Sequence, residues 1–198
     1  MIRSALRSIR RDQRGVTAVE FALITPVLLI AMMGVFDLGY NMYATNMLQG
    51  AIQKAARDSS LEGGGGGAAA LDAKVAEAVR EIVPDATLAY TRTAYASFTD
   101  VRQPEDFTDI DGDGVCNNGE PFEDVNGNAN WDADRGSVGQ GGARDAVLYE
   151  VRISYLRAFP VASLMGQSNT FSTVAKTVLR NQPYNLQSIP APTTGNCT

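Results

Sequence analysis

The sequence predicts an α+β protein. A transmembrane helix near the N-terminus continues past the membrane as an amphipathic helix. A second helix and a small antiparallel sheet follow, and an acidic insertion interrupts the sheet. Three observations carry this reading. Gly15 to Phe36 is almost wholly apolar, with Glu20 its one ionisable residue. A three-to-four-residue apolar period then runs through 37–57 and 68–83. Three later runs alternate with period two and are rich in β-branched and aromatic residues.

The apolar stretch fixes the organisation. A helix over 16–36 would be about 31 Å long, close to the ~30 Å hydrocarbon thickness of a bilayer. Ahead of it stand Arg3, Arg7, Arg10, Arg11 and Arg14, opposed only by Asp12. Excess basic charge stays on the cytoplasmic side, so residues 1–15 read as a cytoplasmic leader and everything after Phe36 as translocated. A cleaved secretory signal and a plain signal anchor are the competing readings; the run is long for the first and lacks an A-x-A-like exit. Pro26 inside the span is tolerable because membrane helices accommodate proline with a kink.

Beyond the span, 37–60 reads as a helix with Leu38, Met42, Thr45, Leu48, Ile52 and Ala56 on one face. Gly63 to Gly67 forms a linker (61–67) that no helix survives. Residues 68–83 form a second helix with Leu71, Val75, Val79, Ile82 and Val83 facing inward, ended by Pro84. Strands are expected over 87–98, over 146–156 with Val147, Tyr149, Val151, Ile153 and Tyr155 on one face, and over 170–179 with Phe171, Val174 and Val178 inward. The exported domain thus spans 68–182, with an insertion over 99–145, and 183–198 reads as an irregular tail.

Composition narrows the function. A leader of +4 and a remainder of −9 give the net charge of −5. An acidic exported part argues against nucleic acid and anionic lipid as direct partners and suits divalent cations. The chain has no histidine, so a Ser–His–Asp triad and a His-ligated zinc site are excluded. No nucleophile–base pair and no small-molecule substrate site is visible, and the chain reads as a non-enzyme.

The insertion holds the one stretch with evident chemistry. Asp109, Asp111, Asp113, Gly114 and Glu120 fit D-x-D-x-D-G-x5-E, the pattern of a twelve-residue calcium loop. The three aspartates supply oxygens from alternate positions, Gly114 allows the sharp turn and Val115 offers its carbonyl. Asn117 acts directly or through water, and Glu120 closes the site bidentately. The cofactor expected here is Ca2+. A second loop follows with donors at Asp124, Asn126, Asn128, Asn130 and Asp132. Ala129 replaces the turn glycine and Arg135 the closing glutamate, with Asp134 as a possible substitute one residue early; neutral asparagines should weaken this site. The pair of loops resembles the tandem calcium loops of dockerin-like extracellular modules, whose class binds at roughly 10^-4–10^-3 M. Cys116 inside the first loop and Cys197 near the end either pair in an oxidising compartment or remain two free thiols.

Gly15, Val16 and Glu20-Phe21 together resemble the G-x-x-x-x-E-F/Y processing motif of type IV prepilins. The whole run from Gly15 to Arg57 resembles the TadE-like family of the tight-adherence (Tad/Flp) pilus, small pseudopilin-like envelope proteins of bacteria. VLRNQPY, around Arg180, resembles the end of some alphaproteobacterial members. The resemblance implies a pilin-like helix over 37–60 and cleavage between Gly15 and Val16 by a prepilin peptidase. It places Glu20 fifth in the mature chain, opposite the new amine of a neighbouring subunit. It also implies a place in the inner membrane as a single-pass protein with a periplasmic or extracellular C-terminal domain. The partners implied are other pilin or pseudopilin subunits and the Tad assembly machinery. Beside this pseudopilin or minor pilin reading stands an uncleaved, membrane-anchored, calcium-stabilised adhesive or binding module.

Overall fold

The computed structural model describes residues 15–61, 67–142, 144–181 and 191–198. The leader arginines and most of the glycine linker lie outside the described residues. The elements in chain order are α1 (Val16–Leu61), α2 (Gly67–Arg80), β1 (Thr87–Tyr95), β2 (Pro121–Asp124), β3 (Ser137–Val138), β4 (Ala146–Leu156), α3 (Val161–Leu164), β5 (Thr170–Arg180) and β6 (Thr193–Asn196). The fold is α+β, and α1 runs unbroken through Pro26 for 46 residues.

Two compact units divide the chain: 1–43 with 156–171, and 44–155 with 172–198. In the first, α1 exposes Leu23, Ile24, Val27, Val35 and Phe36 to its surroundings. Among the described residues this is the one helix long and apolar enough to cross a membrane. Its polar end is covered. Asp37 and Asn41 are buried, with Asn41 Nδ2 donating to Asp37 Oδ2 at 3.1 Å and the Arg157 guanidinium pairing with the same carboxylate. The expected face holds at Leu48 and Ile52, which are buried, and at Thr45 and Ala56, which are half-buried, and fails at its first two positions. Leu38 and Met42 are exposed, and the buried positions are Asp37, Asn41, Ala44, Leu48, Ile52 and Ala55. At 37 and 41 the buried side chains are polar, held by each other and by the half-buried Arg157.

The second unit builds its core on a four-stranded sheet of order β3-β1-β4-β5. β1 pairs antiparallel with β4 from Thr87 opposite Ser154 to Tyr95 opposite Ala146, and with the two-residue β3 on its other edge. Val147, Tyr149, Val151, Ile153 and Tyr155 are all buried, as their alternation predicts. So is Leu148, because the start of β4 is covered on both faces. In β5 the buried residues are Ala175 and Leu179, whereas Phe171, Val174 and Val178 are half-buried.

Leu71, Val75 and Val79 of α2 are buried, and a polar cluster fastens the helix to the sheet. Tyr149 Oη donates to Asp72 Oδ1 at 2.6 Å, Arg92 pairs with the same carboxylate, and Tyr90 Oη donates to the Asp72 carbonyl at 3.2 Å. The Arg92 guanidinium lies 4.5 Å above the Tyr149 ring.

β2 and β6 form a separate antiparallel pair with Phe122 opposite Gly195. Of the tail expected to be irregular, 183–190 lies outside the described residues and 193–196 is a strand instead. A side chain at Gly195 would meet the Phe122 ring at 2.4 Å, so only glycine lets this strand lie against the buried phenylalanine. Cys116 and Cys197 form a disulfide beside the pair.

Candidate metal centre

The first loop is shaped by its own carboxylates. Asp109 Oδ1 accepts from Gly112 N at 2.6 Å and its Oδ2 from Gly114 N at 2.9 Å. Asp111 Oδ1 accepts from Asp113 N at 3.2 Å, and Asp113 Oδ1 from Val115 N at 2.8 Å. These turns require Gly112 and Gly114 at φ of 77° and 75°, a conformation glycine adopts without a Cβ penalty. Glu120, only 2 % exposed, reaches back across the loop. Its Oε1 accepts from Ile110 N at 2.6 Å and its Oε2 from Asn117 N at 3.3 Å.

Asp109, Asp111 and Glu120 each bring a carboxylate oxygen within 4.8 Å of the others. Asp113 stands beside this trio, its Oδ2 accepting from Asn117 Nδ2 at 2.7 Å. That leaves Asn117 Oδ1 buried without a hydrogen-bond partner. Val115 keeps its side chain in solvent. An all-oxygen donor set with concentrated negative charge fits a hard divalent cation.

The second loop repeats the arrangement. Asp124 Oδ1 accepts from Gly127 N at 2.7 Å and its Oδ2 from Ala129 N at 2.9 Å. Ala129, at the turn position of a glycine, adopts φ of 63°. Asn126 Oδ1 accepts from Asn128 N at 3.1 Å, and Asn128 Oδ1 from Asn130 N at 2.7 Å. Asp132 Oδ2 gathers the amides of Asn126 at 2.7 Å and Asn128 at 2.6 Å.

The closing carboxylate comes from Glu105, a residue sequence reasoning missed. Its Oε1 accepts from Val125 N at 2.8 Å and its Oε2 from Asp132 N at 3.1 Å. These are the second and ninth positions of the loop, the same two that Glu120 grips in the first loop. Glu105 is 1 % exposed. Asp134, the residue expected to close this loop, points elsewhere: its Oδ2 accepts from Tyr95 Oη at 2.9 Å and its Oδ1 from Gly136 N at 3.2 Å.

Arg135, where a closing glutamate would stand, positions the substitute. Its Nε donates to the Pro104 carbonyl at 2.9 Å, and its guanidinium pairs with Asp106 at 3.0 Å. Glu105 N donates to the Asp132 carbonyl at 2.9 Å, and Trp131 Nε1 to the Glu105 carbonyl at 2.9 Å. The signal in the sequence was the unmatched Arg135 together with an acidic Glu105-Asp106 pair ahead of both loops.

The two loops share β2, which begins after Glu120 and ends on Asp124. Gly119 N donates to the Cys197 carbonyl at 3.0 Å, and Cys197 N to the Glu120 carbonyl at 2.8 Å. The chain end is thus laced to the closing residue of the first loop.

At the other end of the chain, Gly15 sits in a turn immediately before α1, and its carbonyl accepts the helix's early bond from Val19 N at 3.1 Å. Val16 and Glu20 are exposed on the first turns. No curated protein and no solved structure matches this chain. Residues 15–57 match the family model described as TadE-like protein, so the segment that opens on Gly15 and carries Glu20 through the apolar helix is a TadE-like one.

Proposed function

We propose that this chain is a membrane-anchored pseudopilin or minor pilin that takes part in assembling the Tad/Flp pilus, with an exported domain stabilised by Ca2+. The observation that carries the reading is the TadE-like match over 15–57, which begins on the glycine of the processing motif and includes the whole apolar stretch. α1 crosses the inner membrane with its basic leader in the cytoplasm and leads into the exported α+β domain. The partners are other pilin or pseudopilin subunits and the Tad machinery, and the role is structural rather than enzymatic.

In this reading a prepilin peptidase cuts between Gly15 and Val16. The freed amine of one subunit then faces Glu20 of its neighbour, offsetting a carboxylate that is costly to hold alone in an apolar span. Asp109, Asp111, Asp113, Asn117, Glu120 and the Val115 carbonyl would hold one Ca2+. Asp124, Asn126, Asn128, Asp132 and Glu105 would hold a second, with the Asn130 carbonyl at the seventh position. The ion's charge offsets the carboxylate repulsion and orders a segment with little apolar content.

The test is the mature N-terminus of protein purified from envelopes of cells holding the peptidase. A chain starting at Val16, and a Gly15→Leu variant that keeps the leader, is the expected result. A wild-type chain that retains the leader would favour the uncleaved, anchored calcium module instead.

A further inference from the structure

We infer that residues 158–166 form a hairpin that dips into the outer lipid boundary of the membrane crossed by α1, a second point of membrane contact. The inference rests on the reading of α1 as a membrane span. The segment descends along that helix in order. Arg157 pairs with Asp37, the Phe159 ring stacks on Phe36 with centroids 6.3 Å apart, and a Cβ on Gly34 would meet Val161 Cγ1 at 4.0 Å. Contacts at 37, 36 and 34 run from the first charged residue past the span back into the apolar stretch. The return is closed at the polar rim, where Arg157 N donates to the Asn169 carbonyl at 2.8 Å.

Chemistry at the tip suits hydrocarbon. Residues 158–175 contain no ionisable side chain. Leu164 and Met165 are 67 % and 65 % exposed, and they follow Phe159 and Val161, which meet α1 at Phe36 and Gly34. Four backbone N–H groups at the tip are satisfied within the segment, which lowers the cost of placing it in lipid. Leu164 N donates to the Pro160 carbonyl at 3.2 Å, Met165 N and Gln167 N to the Ala162 carbonyl at 3.1 and 2.9 Å, and Gly166 N to the Ser163 carbonyl at 3.1 Å. Ser163 Oγ donates to the Pro160 carbonyl at 2.7 Å. The patch is continuous with the span, and that continuity selects lipid over a protein partner as its occupant.

Photo-crosslinking of the full chain tests this. p-Benzoylphenylalanine replaces Leu164 or Met165, with Val27 as the span control and Val138, 98 % exposed in the other unit, as the solvent control. The chains are reconstituted in vesicles of tritiated phosphatidylcholine with phosphatidylglycerol and irradiated. Lipid adducts from positions 27, 164 and 165 and their loss at 138 are the expected result. Lipid adducts at 27 with only protein adducts, or none, at both 164 and 165 would overturn the hairpin's insertion while leaving the span intact. Absence of lipid adducts at 27 would overturn the membrane reading of α1 and this inference with it.

Discussion

Single carboxylates decide the chemistry of the insertion. Glu120 and Glu105 are almost wholly buried, yet one lies within its loop and the other 19 residues ahead of the loop it closes. The first was legible because D-x-D-x-D-G-x5-E is a spacing rule. The second was not, because folding rather than spacing brings Glu105 to Val125 and Asp132. The two therefore make separable predictions. Calorimetric titration of the full chain should count two Ca2+ in the wild type. Glu105→Gln should weaken the second site by at least about tenfold, ~1.4 kcal/mol, and leave the first. Glu120→Gln should do the reverse. Asp134→Asn should leave both, since that carboxylate is engaged by Tyr95. Loss of both sites in Glu105→Gln would show that the closing residues are not assigned to separate loops.

Elements were legible where one periodicity met one partner. β4 alternates because its faces meet different surroundings, and all five predicted inward residues are buried. The face of α1 was legible at Leu48 and Ile52 but not at Leu38 and Met42, because leucine and methionine at helical spacing do not reveal that Asp37 will be paired with Arg157 instead. β6 was missed because its two threonines are followed by Gly195 and Asn196, which strands disfavour, and it is held by Phe122, main-chain pairing and the adjoining disulfide. The α2–sheet contact depends on Tyr149, whose hydroxyl is held protonated, its pKa raised by burial and by the bond to Asp72. Tyr95 is likewise pushed up to about 12, by burial first and then by Asp134. A raised phenol pKa favours the native state while the proton is on. The stabilisation is therefore fully present below about pH 10 and lost as pH rises beyond it. Tyr149→Phe should cost about 1.5–3 kcal/mol at neutral pH, the worth of a hydrogen bond to a charged group. It should also reduce the loss of stability between pH 9 and 11. Urea midpoints at the two ends of that range check both parts, and an unchanged alkaline loss would place the sensitivity elsewhere.

At the scale of the molecule, the disulfide and the first acidic loop act on the same stretch of chain. Cys116 lies inside the loop, and its bond to Cys197 spans 81 residues. On the loop-entropy account, closing such a ring destabilises the unfolded chain by about 4–5 kcal/mol. A Ca2+ ion at a hundred times its Kd would add about 2.7 kcal/mol. Distant, independent sites would contribute additively. Here they are not distant, because Cys197 N donates to the Glu120 carbonyl and Gly119 N to the Cys197 carbonyl. With the disulfide gone, the residues flanking Glu120 lose the strand that holds them, and the ion must bear the ordering cost of the loop. The Ca2+-dependent rise in melting temperature should therefore be smaller in Cys116→Ser/Cys197→Ser than in the oxidised chain, and the Kd for the first site weaker. Scanning calorimetry of both chains in millimolar Ca2+ and in chelator measures the coupling. Equal calcium shifts in the two would show that the covalent clamp and the ionic one act independently.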